Sequence, residues 1–249
     1  MKLLIIGDEK RATKYQPESA DVPVVSEVDV VVADRGSSDE EILELASDAD
    51  FILADAISPV SRTLIEGMPN LRLVHSEGVA FNAIDVEAAR EAGIMVCNNA
   101  GVNADAVAEQ TILLMLSCLR SVIAGDIAVR EARQIEMKER VMVEGMRELG
   151  DCTIGFIGFG AIGQAVARRL TTWGCRMLYN KRHPLTAEEE RELNVEFASQ
   201  DEIIRESDIV SLHVPVTDET HGLVDGGFLK AMKSDAILIN TARGEIVDQ

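Results

Sequence analysis

The most informative segment of the chain is Gly158-Phe159-Gly160-Ala161-Ile162-Gly163. The spacing G-x-G-x-x-G is weak evidence alone, so its surroundings matter. An apolar run at 154–157 directly precedes it, a helical stretch at 164–170 directly follows it, and a second apolar run ends at Tyr179. This order of strand, turn, helix and strand is typical of a turn that binds a dinucleotide.

Each glycine of this turn has a separate physical reason. Gly158 permits the tight turn out of the strand, Gly160 lets the backbone approach a pyrophosphate, and Gly163 lets the helix pack closely on the strand. The free N–H groups where the helix begins, at Ala161 and Ile162, would then hold the phosphates, helped by the helix dipole. The alternative is a glycine-rich turn without a ligand, and the complete strand and helix context argues against it.

The segment after the second strand bears on the choice of nicotinamide cofactor. NAD-preferring sites place an acid about 20 residues after the turn, where it binds the ribose 2′-hydroxyl. Here that segment is Asn180-Lys181-Arg182-His183, which contains no acid. Lys181 and Arg182 could pair with a 2′-phosphate. We therefore predict that NADP is favoured over NAD; the alternative is that these are surface cations and either cofactor binds.

Outward from the turn, short apolar runs alternate with helical patterns along the whole chain. Continuous apolar strands that alternate with helices predict an α/β fold with parallel sheets covered on both faces. The predicted strands are 3–6, 28–32, 51–53, 71–74, 94–97, 153–157, 176–179, 195–197, 209–213 and 236–239. The predicted helices are 39–47, 61–66, 86–92, 104–119, 161–173, 187–193, 200–206 and 227–232.

The helix predicted from Ala104 to Leu119 marks a change of domain. Asn103 is a suitable N-cap, and the apolar run 112–116 predicts a helix buried on all sides, between two domains. We therefore predict two doubly wound parallel-sheet units, residues 1–100 and 101–249. The stretch 130–149 is charged and shows no clear pattern.

Bulk composition excludes several classes of protein. The 249 residues carry 24 lysines and arginines against 43 acids, a formal charge of −19, which argues against binding nucleic acid. The N-terminal apolar run is too short for a signal peptide, and no run has the roughly 18 apolar residues of a membrane span. We expect a cytoplasmic protein without a metal site. The scattered Cys97, Cys118, Cys152 and Cys175 are expected to be small core residues in a reducing compartment.

Four blocks in this order resemble the D-2-hydroxyacid dehydrogenases, which include phosphoglycerate dehydrogenases and glyoxylate/hydroxypyruvate reductases. They are 77–85 (EGVAFNAID), 101–111 (GVNADAVAEQT), the turn 158–163, and 213–215 (HVP) followed by 240–244 (NTARG). The resemblance covers nearly the whole chain. It implies a flavodoxin-like substrate domain, a Rossmann NAD(P)-binding domain and a homodimer.

The resemblance also implies roles for particular positions. Gly78 and Val79 would present backbone N–H groups to the substrate carboxylate, as suits a loop that binds anions. Arg243 would bind the substrate carboxylate and carbonyl oxygen and stabilise the alkoxide that develops during hydride transfer. The residues that would line the nicotinamide and its ribose are Val214, Pro215, Thr241 and Ala242.

The chain departs from the family pattern in three places. Ala80 stands where glycine is usual, and Gln110 stands where histidine is frequent. After the arginine the family continues with a glutamate and then a histidine, the general acid/base, whereas this sequence ends at Gln249. We expect a fragment that lacks the return segment of the first domain and the end of the second. His213 is expected to be a structural or cofactor-wall residue.

Two functions follow from these observations. The first is an NAD(P)-dependent oxidoreductase that transfers a hydride between the cofactor and a small D-2-hydroxy acid or 2-keto acid. The second is a catalytically inactive nucleotide-binding or sensing protein that lacks the glutamate and the histidine. We expect residues 1–249 alone not to turn over at a normal rate, because the proton donor of the family has no counterpart among their four histidines.

Overall fold

The structure is a computed structural model that describes residues 1–8 and 27–249. The chain divides into two compact units, Met1–Val102 and Asn103–Gln249. The boundary predicted from the sequence lies between residues 100 and 101, just before the long helix. Each unit is built around a five-stranded parallel sheet, which confirms the predicted α/β class.

The first unit has the strand order β2-β1-β3-β4-β5. Its strands are β1 (Lys2–Ile6), β2 (Asp29–Ala33), β3 (Phe51–Ala54), β4 (Leu73–Ser76) and β5 (Met95–Asn98), and its helices are α1 (Asp39–Ala46), α2 (Arg62–Gly67) and α3 (Val86–Glu91). One face of the sheet, with Leu4, Ile52 and Val74, packs against these helices to form the core. On the opposite face Ile5 of β1 is buried, the residues of β3 and β4 are partly buried, and Met95 on the edge strand β5 is exposed.

The second unit has the strand order β10-β9-β6-β7-β8. Its strands are β6 (Thr153–Ile157), β7 (Arg176–Asn180), β8 (Glu196–Phe197), β9 (Ile209–Leu212) and β10 (Ile237–Asn240). Its helices are α4 (Ala104–Leu119), α5 (Val122–Arg130), α6 (Gln134–Glu144), α7 (Ala161–Leu170), α8 (Ala187–Leu193), α9 (Gln200–Glu206) and α10 (Gly226–Ala231). Apolar clusters lie on both faces of this sheet, as the strand composition predicts.

The register of the second sheet sets the position of the predicted cofactor site. The last residue of β6, Ile157, pairs with Asn180 of β7 on one side and with Leu212 of β9 on the other. The three strands are parallel, so they end level at one edge of the sheet. The segments that follow them therefore begin side by side, with the glycine turn in the middle.

All ten predicted strands and all eight predicted helices are present, and the differences lie in and after α4. The helix begins after Asn103, but the Asn103 side chain makes no capping hydrogen bond. Only one stripe of α4 is buried, at Ala108, Thr111 and Met115, whereas Leu113 is exposed. The expectation of burial on all sides is therefore wrong within this structure, because only that stripe faces α7 and β10.

Helices α5 and α6 occupy a stretch where the sequence pattern predicts no element. Helix α6 has no buried residue. Because it packs no face on a core, its sequence lacks the regular apolar spacing that predicts an amphipathic helix. In the described part of the chain, no single helix has the length and apolar composition to cross a membrane; α4 and α5 meet that criterion only together, as a pair bent by 61°.

The cysteine prediction is half right. Cys152 and Cys175 are buried in the second unit, where burial raises the pKa of both thiols. Cys97 and Cys118 are exposed, contrary to expectation. Cys97 lies on the edge strand β5 and Cys118 lies on α4 outside the buried stripe. An apolar sequence neighbourhood therefore does not decide burial where one side of an element has no partner within its unit.

Candidate functional site

The glycine turn is held against the end of β9. Gly158 adopts φ = +84°, a conformation that favours glycine. A Cβ atom on Gly158 would lie 2.6 Å from the carbonyl carbon and oxygen of His213. The turn therefore requires glycine at this position for both backbone conformation and space.

Gly160 differs from Gly158 because nothing in the described structure lies within 4 Å of the Cβ it lacks. It is the N-cap of α7, and no side chain caps the first-turn N–H groups of that helix. Gly163 is tightly packed, since a Cβ there would lie 3.0 Å from the Phe159 ring. Open space in front of Gly160 and uncapped N–H groups fit a bound pyrophosphate, with Ala161 and Ile162 in that first turn.

Tyr179 of β7 orders the loop that follows its strand. Its hydroxyl accepts a hydrogen bond from the Leu185 N–H at 2.8 Å and donates one to the Glu190 carboxylate at 2.8 Å. Its ring packs on Phe159 of the glycine turn, with 4.7 Å between ring centroids. Burial and the Glu190 carboxylate raise the pKa of Tyr179 to about 12. One buried side chain thus contacts the glycine turn and the loop that follows β7.

The predicted 2′-phosphate residues lie at the start of that loop. The Asn180 side chain donates to the Ala198 carbonyl at 2.9 Å, so its amide nitrogen is engaged in a hydrogen bond within the protein. Lys181 is partly buried and Arg182 is exposed. The Arg182 guanidinium pairs with the Glu219 carboxylate at 3.1 Å, a partner that the sequence did not suggest.

The segment after β9 borders the glycine turn on its other side. Val214 packs on Gly158, since its Cγ1 lies 2.8 Å from where a Gly158 Cβ would be, and Pro215 is exposed. The His213 ring is within 2.9 Å of the Ser211 hydroxyl through Nε2, while its buried Nδ1 has no partner among the described residues. Burial lowers the pKa of His213 to about 4. The ring is therefore neutral at pH 7, which supports a structural role.

The turn after β10 carries the predicted Arg243. The Asn240 side chain accepts from the Ala242 N–H at 3.0 Å and donates to the Arg243 carbonyl at 2.8 Å. The Thr241 hydroxyl lies 3.0 Å from the hydroxyl of Thr111, which is fully buried on α4. Asn240 and Thr111 therefore fix the backbone of the turn, and the Arg243 side chain is exposed.

In the first unit, the predicted carboxylate loop forms hydrogen bonds through its carbonyl groups. Its carbonyl oxygens at 77, 78, 79 and 80 all accept hydrogen bonds. The donors are the Asn99 side chain (2.6 Å), the Asn99 N–H (3.0 Å), the Asn98 side chain (2.7 Å) and the Ser76 hydroxyl (2.5 Å).

This hydrogen bonding decides which way the loop presents its amides. In a trans peptide the N–H points opposite to the carbonyl that precedes it. The N–H groups of Gly78, Val79 and Ala80 therefore point away from those donors, and none has an acceptor among the described residues. A Gly78 Cβ would lie 2.5 Å from the Ala56 Cβ, so glycine is required here as well.

Sequence reasoning missed the residues that orient these segments. They are Ser76, Asn98, Asn99, Thr111, Asn240, Tyr179 and Glu219. The position of Asn98 and Asn99 directly after an apolar strand could have signalled them, because strand ends are where polar side chains gather in parallel sheets. No comparable signal exists for Thr111, which lies inside an apolar helix.

Comparison with known proteins supports this description. Residues 112–249 match the family described as "D-isomer specific 2-hydroxyacid dehydrogenase, NAD binding domain". The chain is 36% identical over 224 residues to a glyoxylate reductase of Korarchaeum cryptofilum, covering 90% of this chain and 67% of that protein. It is 34% identical over 211 residues to a hydroxypyruvate reductase of Thermotoga maritima, covering 84% and 66%. The matched segments thus span about two thirds of each relative.

Solved structures show the same architecture. A D-lactate dehydrogenase of Aquifex aeolicus, complexed with NAD and lactic acid, matches with a TM-score of 0.80 at 26% identity, over 99% of this chain and 70% of that one. The apo D-mandelate dehydrogenase of Rhodotorula graminis matches in fold, with a TM-score of 0.82 at 24% identity, over 100% and 75%.

Replacing Gly160 tests the glycine turn. Gly160→Val should fold normally, because space is open there, but should weaken nicotinamide dinucleotide binding roughly tenfold or more, equivalent to about 1.4 kcal/mol. Calorimetric titration with NADPH and NADH measures the affinity, and thermal unfolding measures stability. Gly158→Val is the contrast, since it should destabilise the fold itself. Unchanged affinity in Gly160→Val would exclude the turn as the pyrophosphate site.

The His213 environment predicts a pH-dependent stability. The unfolded chain protonates His213 near the ordinary pKa of 6.5, whereas the folded chain does so only near 4. The unfolded state therefore binds more protons between these values, so this contribution to stability is complete above pH 6.5 and is lost as pH falls toward 4. At pH 5 the loss is roughly 2 kcal/mol.

Urea unfolding at pH 7.5 and pH 5 measures this loss. The difference between the two pH values should shrink in His213→Gln. His221→Gln, which removes an exposed histidine of the same unit, controls for the change of residue type. An identical pH dependence in the parent and in His213→Gln would contradict the low pKa.

Proposed function

Because the chain belongs to the D-isomer-specific 2-hydroxyacid dehydrogenase family, we propose that it transfers a hydride between NAD(P) and a small D-2-hydroxy acid or 2-keto acid. The observation that carries this proposal is the glycine turn, whose open face at Gly160 and uncapped helix start suit a dinucleotide. The cofactor, when bound, supplies or accepts the hydride. The protein's own residues bind, orient and neutralise charge.

In this proposal the loop of the first unit binds the substrate carboxylate. Its carbonyl groups are all engaged by Ser76, Asn98 and Asn99, so Gly78 and Val79 are left with N–H groups directed elsewhere. Successive N–H groups of this kind bind anions without a charged side chain. Ala80, where the family usually has glycine, leaves this arrangement intact, because its carbonyl accepts from Ser76.

Arg243 is proposed to bind the substrate carboxylate and carbonyl oxygen. A guanidinium offers a planar fork of donors, and its permanent positive charge stabilises a developing alkoxide. It is effectively never deprotonated, so it does not supply the proton that the alkoxide needs. His213 is neutral at pH 7 and does not supply it either. Thr241 and Ala242, with Val214 and Pro215, are proposed to line the nicotinamide and its ribose.

The proposed cofactor preference is for NADP. Support comes from Lys181 and Arg182, the cations that follow β7 where an acid would favour NAD. Tyr179 accepts a hydrogen bond from the Leu185 N–H and so holds the loop after β7, which fixes the backbone that carries these cations.

We further propose that the chain acts in the cytoplasm as a homodimer. Helices α5 and α6 expose a run of large apolar side chains, which soluble monomers rarely do. These are Val122, Ile123, Ile127, Val129, Ile135, Met142 and Val143. A second copy of the same chain is the occupant that the family resemblance implies.

The proposed activity can be tested in a single turnover. NADPH or NADH is bound to the protein, mixed with glyoxylate, hydroxypyruvate or larger 2-keto acids, and followed by nicotinamide fluorescence. We expect oxidation that depends on the 2-keto acid. Arg243→Gln should slow it by about 10²- to 10³-fold, the usual effect of removing one group that stabilises the oxyanion. Its affinity for the cofactor should be unchanged.

Two comparisons complete this test. Arg243→Lys keeps the charge but loses the fork and should recover only part of the rate, while Arg191→Gln, on α8, controls for loss of a surface charge. Cofactor binding without oxidation by any 2-keto acid would instead favour a nucleotide-sensing protein.

The proposed dimer is tested by the mass of the protein in solution. Analytical ultracentrifugation should give twice the chain mass of 27.1 kDa. Ile123→Glu combined with Val143→Glu should give a folded monomer, because two charges would have to be buried in the contact. Leu45→Glu, at an exposed apolar position on α1, is the matched control. A monomeric parent would refute the dimer.

A further inference from the structure

We propose that Glu219 is a specificity-determining residue, because it competes with the ribose 2′-phosphate of the cofactor for the Arg182 guanidinium. This inference rests on the proposed cofactor site. The observation behind it differs from the one that supports the cofactor site. An ion pair, with 3.1 Å between the Arg182 nitrogen and the Glu219 oxygen, joins the loop after β7 to the loop after β9.

Topology places this ion pair across the dinucleotide site. Strand β6 lies between β7 and β9, and the ends of the three strands are level at Ile157, Asn180 and Leu212. Neighbouring strands are about 4.8 Å apart, so the two loops start roughly 10 Å from each other. A contact between Arg182 and Glu219 must therefore span the end of β6, where the glycine turn begins.

Both loops that carry the pair are held at their bases. On one side Tyr179 accepts from the Leu185 N–H. On the other, the Thr220 hydroxyl accepts from the Thr217 N–H at 2.8 Å and donates to the Pro215 carbonyl at 2.6 Å. Glu219 precedes Thr220 in this compact turn. The pair is therefore presented from two ordered loops.

The pair itself is easily exchanged. The side chains of Arg182 and Glu219 are each 78% exposed, and exposed ion pairs contribute little to stability. A phosphate carries up to two negative charges and three acceptor oxygens, so it is a stronger partner for a guanidinium than one carboxylate. Binding of a 2′-phosphate should displace Glu219, whereas a 2′-hydroxyl should leave the pair intact.

Removing the carboxylate should therefore favour one cofactor only. In Glu219→Gln the guanidinium has no competing anion, and the affinity for NADPH should rise about two- to fivefold, the range expected from an exposed pair. The affinity for NADH should stay the same. The same contrast should hold for adenosine 2′,5′-bisphosphate against 5′-AMP, which probe only the adenosine end of the site.

Calorimetric titrations of the four ligands at low and moderate salt measure these affinities. Glu206→Gln is the matched control, because it breaks an exposed pair with Arg176 (2.9 Å) at the opposite end of β7. It should change neither ratio. Arg182→Gln combined with Glu219→Gln should abolish the gain, since the cation that the carboxylate restrains is gone.

The outcomes separate this inference from the proposed function. A rise in the ratio of NADPH affinity to NADH affinity in Glu219→Gln, abolished when Arg182→Gln is added, supports the inference even if the parent protein prefers NADH. Equal changes for both cofactors would mean that the pair only supports the loops, and an unchanged ratio would mean that it does not compete; either result overturns the inference. If no variant and no parent binds either cofactor, the proposed function itself fails.

Discussion

The parallel pairing of β6 with β9 brings the backbone of Gly158 against the carbonyl of His213. The other parts of the predicted cofactor site in the second unit depend on that contact. No side chain fits between the two segments, and the turn leaves the sheet at a positive φ angle, so both space and backbone conformation require glycine. Val214 lies against the same glycine, and burial of the His213 ring keeps it neutral at pH 7.

Much of this arrangement is visible in the sequence, because parallel strands leave strong local signals. Runs of apolar residues between helical patterns predict the ten strands, and the glycine spacing marks the turn at Gly158. Helix α6 escapes prediction because no residue of it is buried in this structure and its apolar side chains are interspersed with charged ones. Cys97 and Leu113 are exposed although their apolar neighbours in sequence predict burial. Burial depends on whether another element covers that face, and local composition carries no information about this.

The site is predictable to a different extent. Residues that would touch a ligand lie in motifs, so the sequence points to Gly78, Gly160 and Arg243. Residues that orient them do so through contacts distant in sequence, such as Thr111 with Thr241, 130 positions apart. Glu219 belongs to the same class, because its link to Arg182 exists only once the two loops lie on either side of β6.

The backbone of the carboxylate loop of the first unit is held in place by neutral donors. Its carbonyls are held by amide and hydroxyl donors from Asn98, Asn99 and Ser76, and its own donors are peptide N–H groups. None of these groups gains or loses a proton in the physiological range. The backbone groups of this loop therefore keep the same polarity across that range. The Asn99 side chain that holds the loop also lies 3.1 Å from His75 Nε2, so an acid dependence of carboxylate binding there would trace to the His75 side chain or to the ligand itself, not to the groups that face the anion.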